Sequence, residues 1–157
     1  MHLHHGGRLR QAALHYGIPL DQWLDFSTAI NPQSWPVPTL PAEVWQRLPE
    51  DDDELIAAAS AYYGRSTLLP VPGTQAVIET LPRLLPQRRV WVPSVGYREH
   101  AYCWQKQGHH LQPYEVLPGE DALAANDVVV VINPNNPTGQ CYPADTLIAL
   151  GERLASL

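Results

Sequence analysis

The stretch Val128-Val129-Val130-Val131-Ile132-Asn133-Pro134-Asn135-Asn136-Pro137-Thr138-Gly139 decides the fold. Its apolar run predicts a buried strand over residues 127–132. The strand is followed at once by three asparagines, two prolines and a glycine. Ligands of open α/β sheets bind outside the carboxyl ends of the strands. The stretch therefore predicts a ligand-binding loop at the end of a buried strand.

Working outward from this strand, predicted helices alternate with predicted strands. Apolar periodicity and glycine or proline boundaries predict helices over 8–16, 54–63, 74–85 (with a kink or local end at Pro82), 97–106 and 143–156, and strands over 89–92, 111–116 and 127–132. This alternation predicts an α/β fold with a mostly parallel sheet flanked by helices on both faces.

The first third of the chain has a different character. Residues 18–49 are irregular and rich in proline, which is typical of an arm that lies across another surface. We therefore expect an N-terminal helix and proline-rich arm over 1–50 and a sheet-containing domain over 51–157. The acidic residues 51–53 suit the positive amino end of the helix predicted at 54.

The composition argues against several classes of protein. The 157 residues have a net charge of −6 and no basic run, which argues against nucleic-acid binding. No apolar stretch approaches the roughly 20 residues of a membrane helix, and residues 1–7 lack a signal core. Cys103 and Cys141 have no metal or redox spacing, and the terminal His2, His4 and His5 lack a defined metal geometry. We expect a cytoplasmic protein with no metal, membrane or nucleic-acid partner.

Three segments carry residues that suit a flat, phosphorylated ligand. Gly73-Thr74-Gln75 opens a helix, and the first amides of a helix can hold a phosphate. Tyr97 follows the strand 89–92 and can stack on a heteroaromatic ring. Asn136 is held before Pro137 and offers a neutral donor to a ligand oxygen. A helix start or a packed tyrosine is common by itself, whereas the complete loop 133–139 is not.

These motifs resemble one family. The loop Asn133–Gly139 after a buried strand is similar to the aminotransferase class I/II group of pyridoxal-phosphate enzymes, fold type I. His5-Gly6-Gly7-Arg8 and the segment from Leu24 to Pro32 resemble the opening of the threonine-phosphate decarboxylases of cobalamin synthesis. The segments Gly73–Ile78 and Tyr97–His100 are similar to the same group.

The resemblance implies a fold, a cofactor and residue roles. Residues 51–157 would form an incomplete large domain of the pyridoxal-phosphate-dependent transferase fold. Gly73 and the amides of Thr74 and Gln75 would hold the phosphate of pyridoxal 5′-phosphate, Tyr97 would stack on its ring, and Asn136 would bond the ring oxygen. The substrate, a small amino-acid phosphate, would lie near three residues of the arm: His5, Ser27 and Asn31.

The implied activity is decarboxylation of L-threonine O-3-phosphate to aminopropanol phosphate by a homodimer, with this chain a truncated portion of the enzyme. A histidinol-phosphate-type aminotransferase and a catalytically inactive fragment, or half of a split enzyme, are the alternatives. The one lysine, Lys106, lies at a predicted helix end, where a cation complements the helix dipole. We therefore expect no Schiff-base lysine, and no activity, in these 157 residues alone. The family often has an asparagine where this chain has Ala29, and many relatives have a tyrosine in place of Leu48.

Overall fold

A computed structural model describes residues 5–28, 30, 31, 33–48, 50 and 54–157. His2, His4, Ala29 and the acidic residues 51–53 lie outside the described residues, and so do the expectations that concern them. The chain divides into two compact units, Met1–Leu68 and Leu69–Leu157. No helix in the described part of the chain is long and apolar enough to cross a bilayer.

The first unit contains two of the predicted helices, α1 (Leu9–Tyr16) and α2 (Leu55–Tyr63). Each ends at a glycine in the left-handed conformation, Gly17 at φ 67° and Gly64 at φ 65°, which glycine adopts without steric cost. Short 3₁₀ turns lie at Leu20–Gln22 and Ala42–Trp45. No residue in the described part of this unit is fully buried.

The second unit contains the sheet and the other three predicted helices. Its elements are α3 (Thr74–Thr80), β1 (Arg89–Pro93), α4 (Arg98–Lys106), β2 (His110–Tyr114), β3 (Val128–Val129) and α5 (Ala144–Ser156). At Pro82 the predicted local break is confirmed, because α3 passes into a 3₁₀ turn over Leu81–Leu84.

The sheet has the order β2-β1-β3, and both pairs of neighbouring strands are parallel. Val90 in the central strand pairs with Leu111 on one side and Val128 on the other. The predicted parallel α/β arrangement is thus confirmed. The prediction of a strand over 127–132 is wrong in length. The Val130 amide still donates to the Trp91 carbonyl at 2.8 Å, but the next donor along β1 would be Pro93, which has no amide hydrogen. The Val130 carbonyl accepts the Tyr114 hydroxyl at 2.8 Å instead.

The core of the second unit lies between α4 and the sheet. Val90, Val92 and Trp104 are at most 4% exposed. Ala101, Leu111, Val128 and Val130 pack around them. Burial of this apolar cluster holds α4 against the two strands β1 and β2.

A buried carboxylate joins β1 to the segment that leads into β3. Arg89 donates to Asp127 through both Nε (2.9 Å) and Nη2 (2.5 Å), and the Trp91 indole donates to the same carboxylate at 3.0 Å. The Asp127 side chain is only 4% exposed. These bonds, chiefly those from Arg89, lower the pKa of Asp127 and keep it ionised.

His109, between α4 and β2, is buried, with 5% of its surface exposed. Its Nδ1 accepts the Arg88 amide at 3.1 Å, so Nε2 carries the proton and donates to the Pro82 carbonyl at 2.9 Å. The ring also packs edge-on against Trp104. His109 therefore anchors the turn between α4 and β2 to the end of α3.

Candidate functional site

The loops that follow β1 and β3 meet at the carboxyl edge of the sheet. The side-chain nitrogen of Asn135 donates to the Val95 carbonyl and to the Thr138 hydroxyl, each at 2.8 Å. The Ser94 amide donates to the Tyr114 carbonyl at 2.8 Å and so extends the contact between β1 and β2. The loops after neighbouring parallel strands thus converge where ligands of such sheets bind.

The loop after β3 is closed by its own hydrogen bonds. The Asn135 amide donates to the Gln140 carbonyl and the Gly139 amide to the Asn135 carbonyl, both at 2.7 Å. Asn133 pairs through its side chain with both backbone groups of Tyr142. The peptide bonds that precede Pro134 and Pro137 are cis. Asn136 lies within this closed turn and is exposed, so its side chain is open to solvent.

Tyr97 is the residue immediately before α4 and is half-buried. Burial first, and the charge of Glu99 second, raise the pKa of Tyr97, so the phenol is neutral at pH 7. The His100 ring lies edge-on at 6.2 Å between centroids, and burial lowers the pKa of His100. An uncharged imidazole therefore stands beside the tyrosine. Both rings line a cavity of about 350 Å³, together with Leu111.

The predicted phosphate segment starts α3. Gly73 has φ 83°, a conformation that favours glycine, and the helix begins at the next residue, Thr74. The Gln75 side chain donates to Glu79 at 3.0 Å and to Glu99 at 3.4 Å. The second of these bonds ties the start of α3 to the first turn of α4, just beyond Tyr97.

Two hydrogen bonds join the segments that carry the predicted cofactor contacts. Gln75 bonds Glu99 near Tyr97, and Asn135, next to Asn136, bonds Val95. A cavity of about 210 Å³ at the same edge is lined, among others, by Ser94, Tyr114, Ile132, Asn135, Thr138 and Tyr142. Burial raises the pKa of Tyr114 to about 12. Thr74 and Asn136 line neither this cavity nor the cavity of about 350 Å³.

The three predicted substrate residues lie in the first unit. The Ser27 hydroxyl accepts the Gly7 amide at 2.8 Å and donates to the Asp25 carboxylate at 2.6 Å. A Cβ on Gly6 would clash with the Ser27 carbonyl. Ser27 therefore shapes the turn that follows His5, a role that sequence reasoning missed although Asp25 and the paired glycines signal it.

Asn31, the third predicted substrate residue, makes a local turn. Its side-chain oxygen accepts the Gln33 amide at 2.9 Å, and the residue is exposed. This bond is an Asx turn, in which a side chain caps its own backbone two residues on.

Lys106 is the last residue of α4 and is exposed. Its Nζ lies 5.9 Å from the centre of the Tyr102 ring. Lys106 lies nine positions beyond Tyr97, which at 1.5 Å per residue is about 13.5 Å along the helix axis. The ammonium group is thus at the opposite end of α4 from the predicted ring contact.

Comparison with known proteins shows the family to which the chain belongs. Residues 46–156 match the family Aminotransferase class I and II. The chain belongs to this family.

The chain is also similar to three curated relatives within this family, and each of them is named threonine-phosphate decarboxylase. The relative from Pseudomonas aeruginosa is 47% identical over 152 residues, which is 97% of this chain and 46% of the relative. That from Sinorhizobium sp is 40% identical over 95% of this chain and 46% of the relative. That from Salmonella typhimurium is 29% identical over 98% of this chain and 47% of the relative. The chain spans less than half the length of these relatives.

Proposed function

We propose that the protein to which these residues belong decarboxylates L-threonine O-3-phosphate with pyridoxal 5′-phosphate, in cobalamin biosynthesis. The similarity to three relatives with that activity in their name supports the substrate. The observation that carries the cofactor site is the bond between Asn135 and Val95, because it brings the loops of Asn136 and Tyr97 to one edge of the sheet.

The residues at this edge fit the cofactor. Tyr97 is a neutral, half-buried aromatic that can stack on a pyridine ring. Asn136 is an exposed neutral donor for the ring oxygen. Gly73, Thr74 and Gln75 begin a helix beside α4 and would hold the phosphate through their amides, as the family resemblance implies.

Each of these residues would position the reacting group rather than move a proton. When bound, pyridoxal phosphate accepts the electron pair that the bond to the departing carboxylate releases. Tyr97 and Asn136 would fix the plane of the ring. His5, Ser27 and Asn31 would contact the substrate, with the Asp25 to Ser27 bond holding the turn at His5 in shape.

Lys106 would not bond the cofactor. A lysine that does so needs desolvation or a neighbour that lowers its pKa. Lys106 is exposed and stands at the far end of α4 from Tyr97. We infer that the 157 residues alone give no turnover. The resemblance also supports a cytoplasmic homodimer as the active form.

An assay of carbon dioxide release from L-threonine O-3-phosphate tests the proposal. It would use the 157-residue chain and the longest product of the open reading frame that contains it, each with pyridoxal phosphate and with or without 2-oxoglutarate. We expect the longer product to release carbon dioxide without 2-oxoglutarate, and the chain alone to release none. Amino transfer to 2-oxoglutarate without carbon dioxide release would overturn the decarboxylase in favour of a histidinol-phosphate-type aminotransferase. Turnover by the chain alone would overturn the inference about Lys106.

A further inference from the structure

Asn135 differs from its neighbour Asn136 in burial. Asn135 is 7% exposed, whereas Asn136 is exposed. The carbonyl of Val95 can only accept a hydrogen bond, which identifies the Asn135 atom that faces it as the amide nitrogen. The same nitrogen bonds the Thr138 hydroxyl, so both of its hydrogens are used. The Asn135 side chain thus faces into the protein, and its amide nitrogen has no hydrogen left to donate.

Each of the two loops that this side chain joins carries a residue of the proposed cofactor site. Val95 is two residues before Tyr97, and Asn135 is one residue before Asn136. The two loops lie 40 residues apart in sequence at this bond. The Asn135 backbone is fixed as well, because its amide and carbonyl bond Gln140 and Gly139. A shift of the Asn135 side chain would therefore move one loop against the other.

Gly96 provides the space that this contact needs. A Cβ at Gly96 would lie 2.9 Å from the Pro93 Cγ, 3.1 Å from the Ile132 Cδ1 and 3.3 Å from the Asn135 Oδ1. That Oδ1 is buried and has no hydrogen-bond partner among the described residues. The oxygen is packed against the glycine, while the nitrogen makes the two bonds. The absence of a side chain at Gly96 therefore leaves room for the Asn135 side chain.

We infer that Asn135 is a positioning residue, which ties the loop of Asn136 to the loop of Tyr97 and sets their spacing for the ring of the cofactor. The role of the spacing rests on the proposed function, since the spacing matters only if the ring binds between these residues. The connection between the two loops can be measured without any ligand.

Asn135→Asp is the sharpest variant because it keeps the size of the side chain and removes both donors. The Thr138 hydroxyl can rotate and donate to the new carboxylate, but the Val95 carbonyl is left facing it. Asn133→Asp is the matched control. Asn133 lies in the same loop and bonds Tyr142, with no bond to the Tyr97 loop among the contacts of the described residues. Far-ultraviolet circular dichroism would show that both variants keep the helices.

Amide spectra of the ¹⁵N-labelled chain test the tie. In Asn135→Asp we expect the resonances of residues 94–97 to shift and their hydrogen exchange to quicken, although the substitution is 40 residues away. In Asn133→Asp we expect changes confined to residues 133–142. Changes in Asn135→Asp that stay within its own loop would overturn the inference.

Binding of 4′-deoxypyridoxine 5′-phosphate tests the consequence for the cofactor. This probe keeps the ring, its oxygen and the phosphate but has no aldehyde to react with amines. We expect its affinity to fall about tenfold in Asn135→Asp, as for loss of one buried hydrogen-bonding partner, and less than about twofold in Asn133→Asp. Equal affinity of the wild type and Asn135→Asp would overturn the positioning role. A wild-type chain that binds no probe would instead overturn the proposed cofactor site. The amide spectra would still show whether Asn135 connects the two loops.

Discussion

Asp127 shows how one side chain can hold several parts of the second unit. It accepts hydrogen bonds from the Arg89 guanidinium, the Trp91 indole and the Ala124 amide. Arg89 in turn donates to the Ala122 carbonyl at 2.9 Å. The start of β1 and the turn before β3 are therefore joined through a carboxylate that is almost fully buried.

Asp127→Asn is expected to lower the free energy of unfolding by roughly 1–3 kcal/mol at pH 7, the usual cost of an unsatisfied buried hydrogen-bonding group. The pKa of Asp127 is lowered on folding, chiefly by Arg89. Its ionised form therefore adds stability above the ordinary pKa of 3.8, and this is lost as the pH falls through the folded value. Urea unfolding at pH 7 and at lower pH should show the difference between the two proteins shrinking below about pH 4. A difference that is constant with pH would contradict this account.

Polar residues such as Asp127 and Asn135 mark the limit of prediction from sequence. A charged residue before a strand and an asparagine in a loop are common, and neither reveals a partner 38 or 40 residues away. The residue type of Asn136 pointed to a ligand through family resemblance, but its burial could not be read from the sequence. That Asn135 faces inward and Asn136 outward follows from the closed turn, which only the folded chain shows.

Helices and strands were easier to predict than the contacts between them. Gly17 and Gly64 end α1 and α2 in left-handed conformations, and Pro82 ends the α-helical part of α3, because these effects are local. The end of β3 depends instead on its register against β1. In that register Pro93 has no amide hydrogen to give to the Val130 carbonyl, which accepts the Tyr114 hydroxyl instead.

The connection from α4 to β2 depends on His109. His109→Ala should leave a cavity, an unbonded Arg88 amide and an unbonded Pro82 carbonyl, and so cost roughly 2–4 kcal/mol of unfolding free energy. His110→Ala is the control, since His110 is the exposed neighbour and should change stability by less than about 0.5 kcal/mol. Thermal and urea unfolding measure both. Equal losses in the two variants would show that His109 is not the anchor.

The two units of the molecule differ in how they bury their side chains. The second unit has a core around Val90 and Trp104, whereas in the described part of the first unit Phe26 is 86% exposed and Trp35 83% exposed. Segments with few buried contacts open at low free energy. The first unit should therefore open more readily than the second.

Limited trypsin digestion tests this difference. Cleavage after Arg47 and Arg65 should precede cleavage after Arg88 and Arg89, and should leave a protected product that begins at Ser66. Digestion in urea is the control, because unfolding makes all of these sites equally accessible. Equal rates at the four sites without urea would contradict the assignment of the stable core to the second unit.

The central claim concerns the whole edge of the sheet, where three segments of the chain are proposed to hold one cofactor. The most direct measurement is a titration of the ¹⁵N-labelled chain with 4′-deoxypyridoxine 5′-phosphate, followed through its amide resonances. We predict that the backbone amides of Thr74, Gln75 and Tyr97 and the side-chain amide of Asn136 shift together with one dissociation constant, while the amide of Lys106 does not move. Saturable shifts at Lys106 without shifts at Tyr97 and Asn136, or no saturable shift at any of these residues, would contradict the claim.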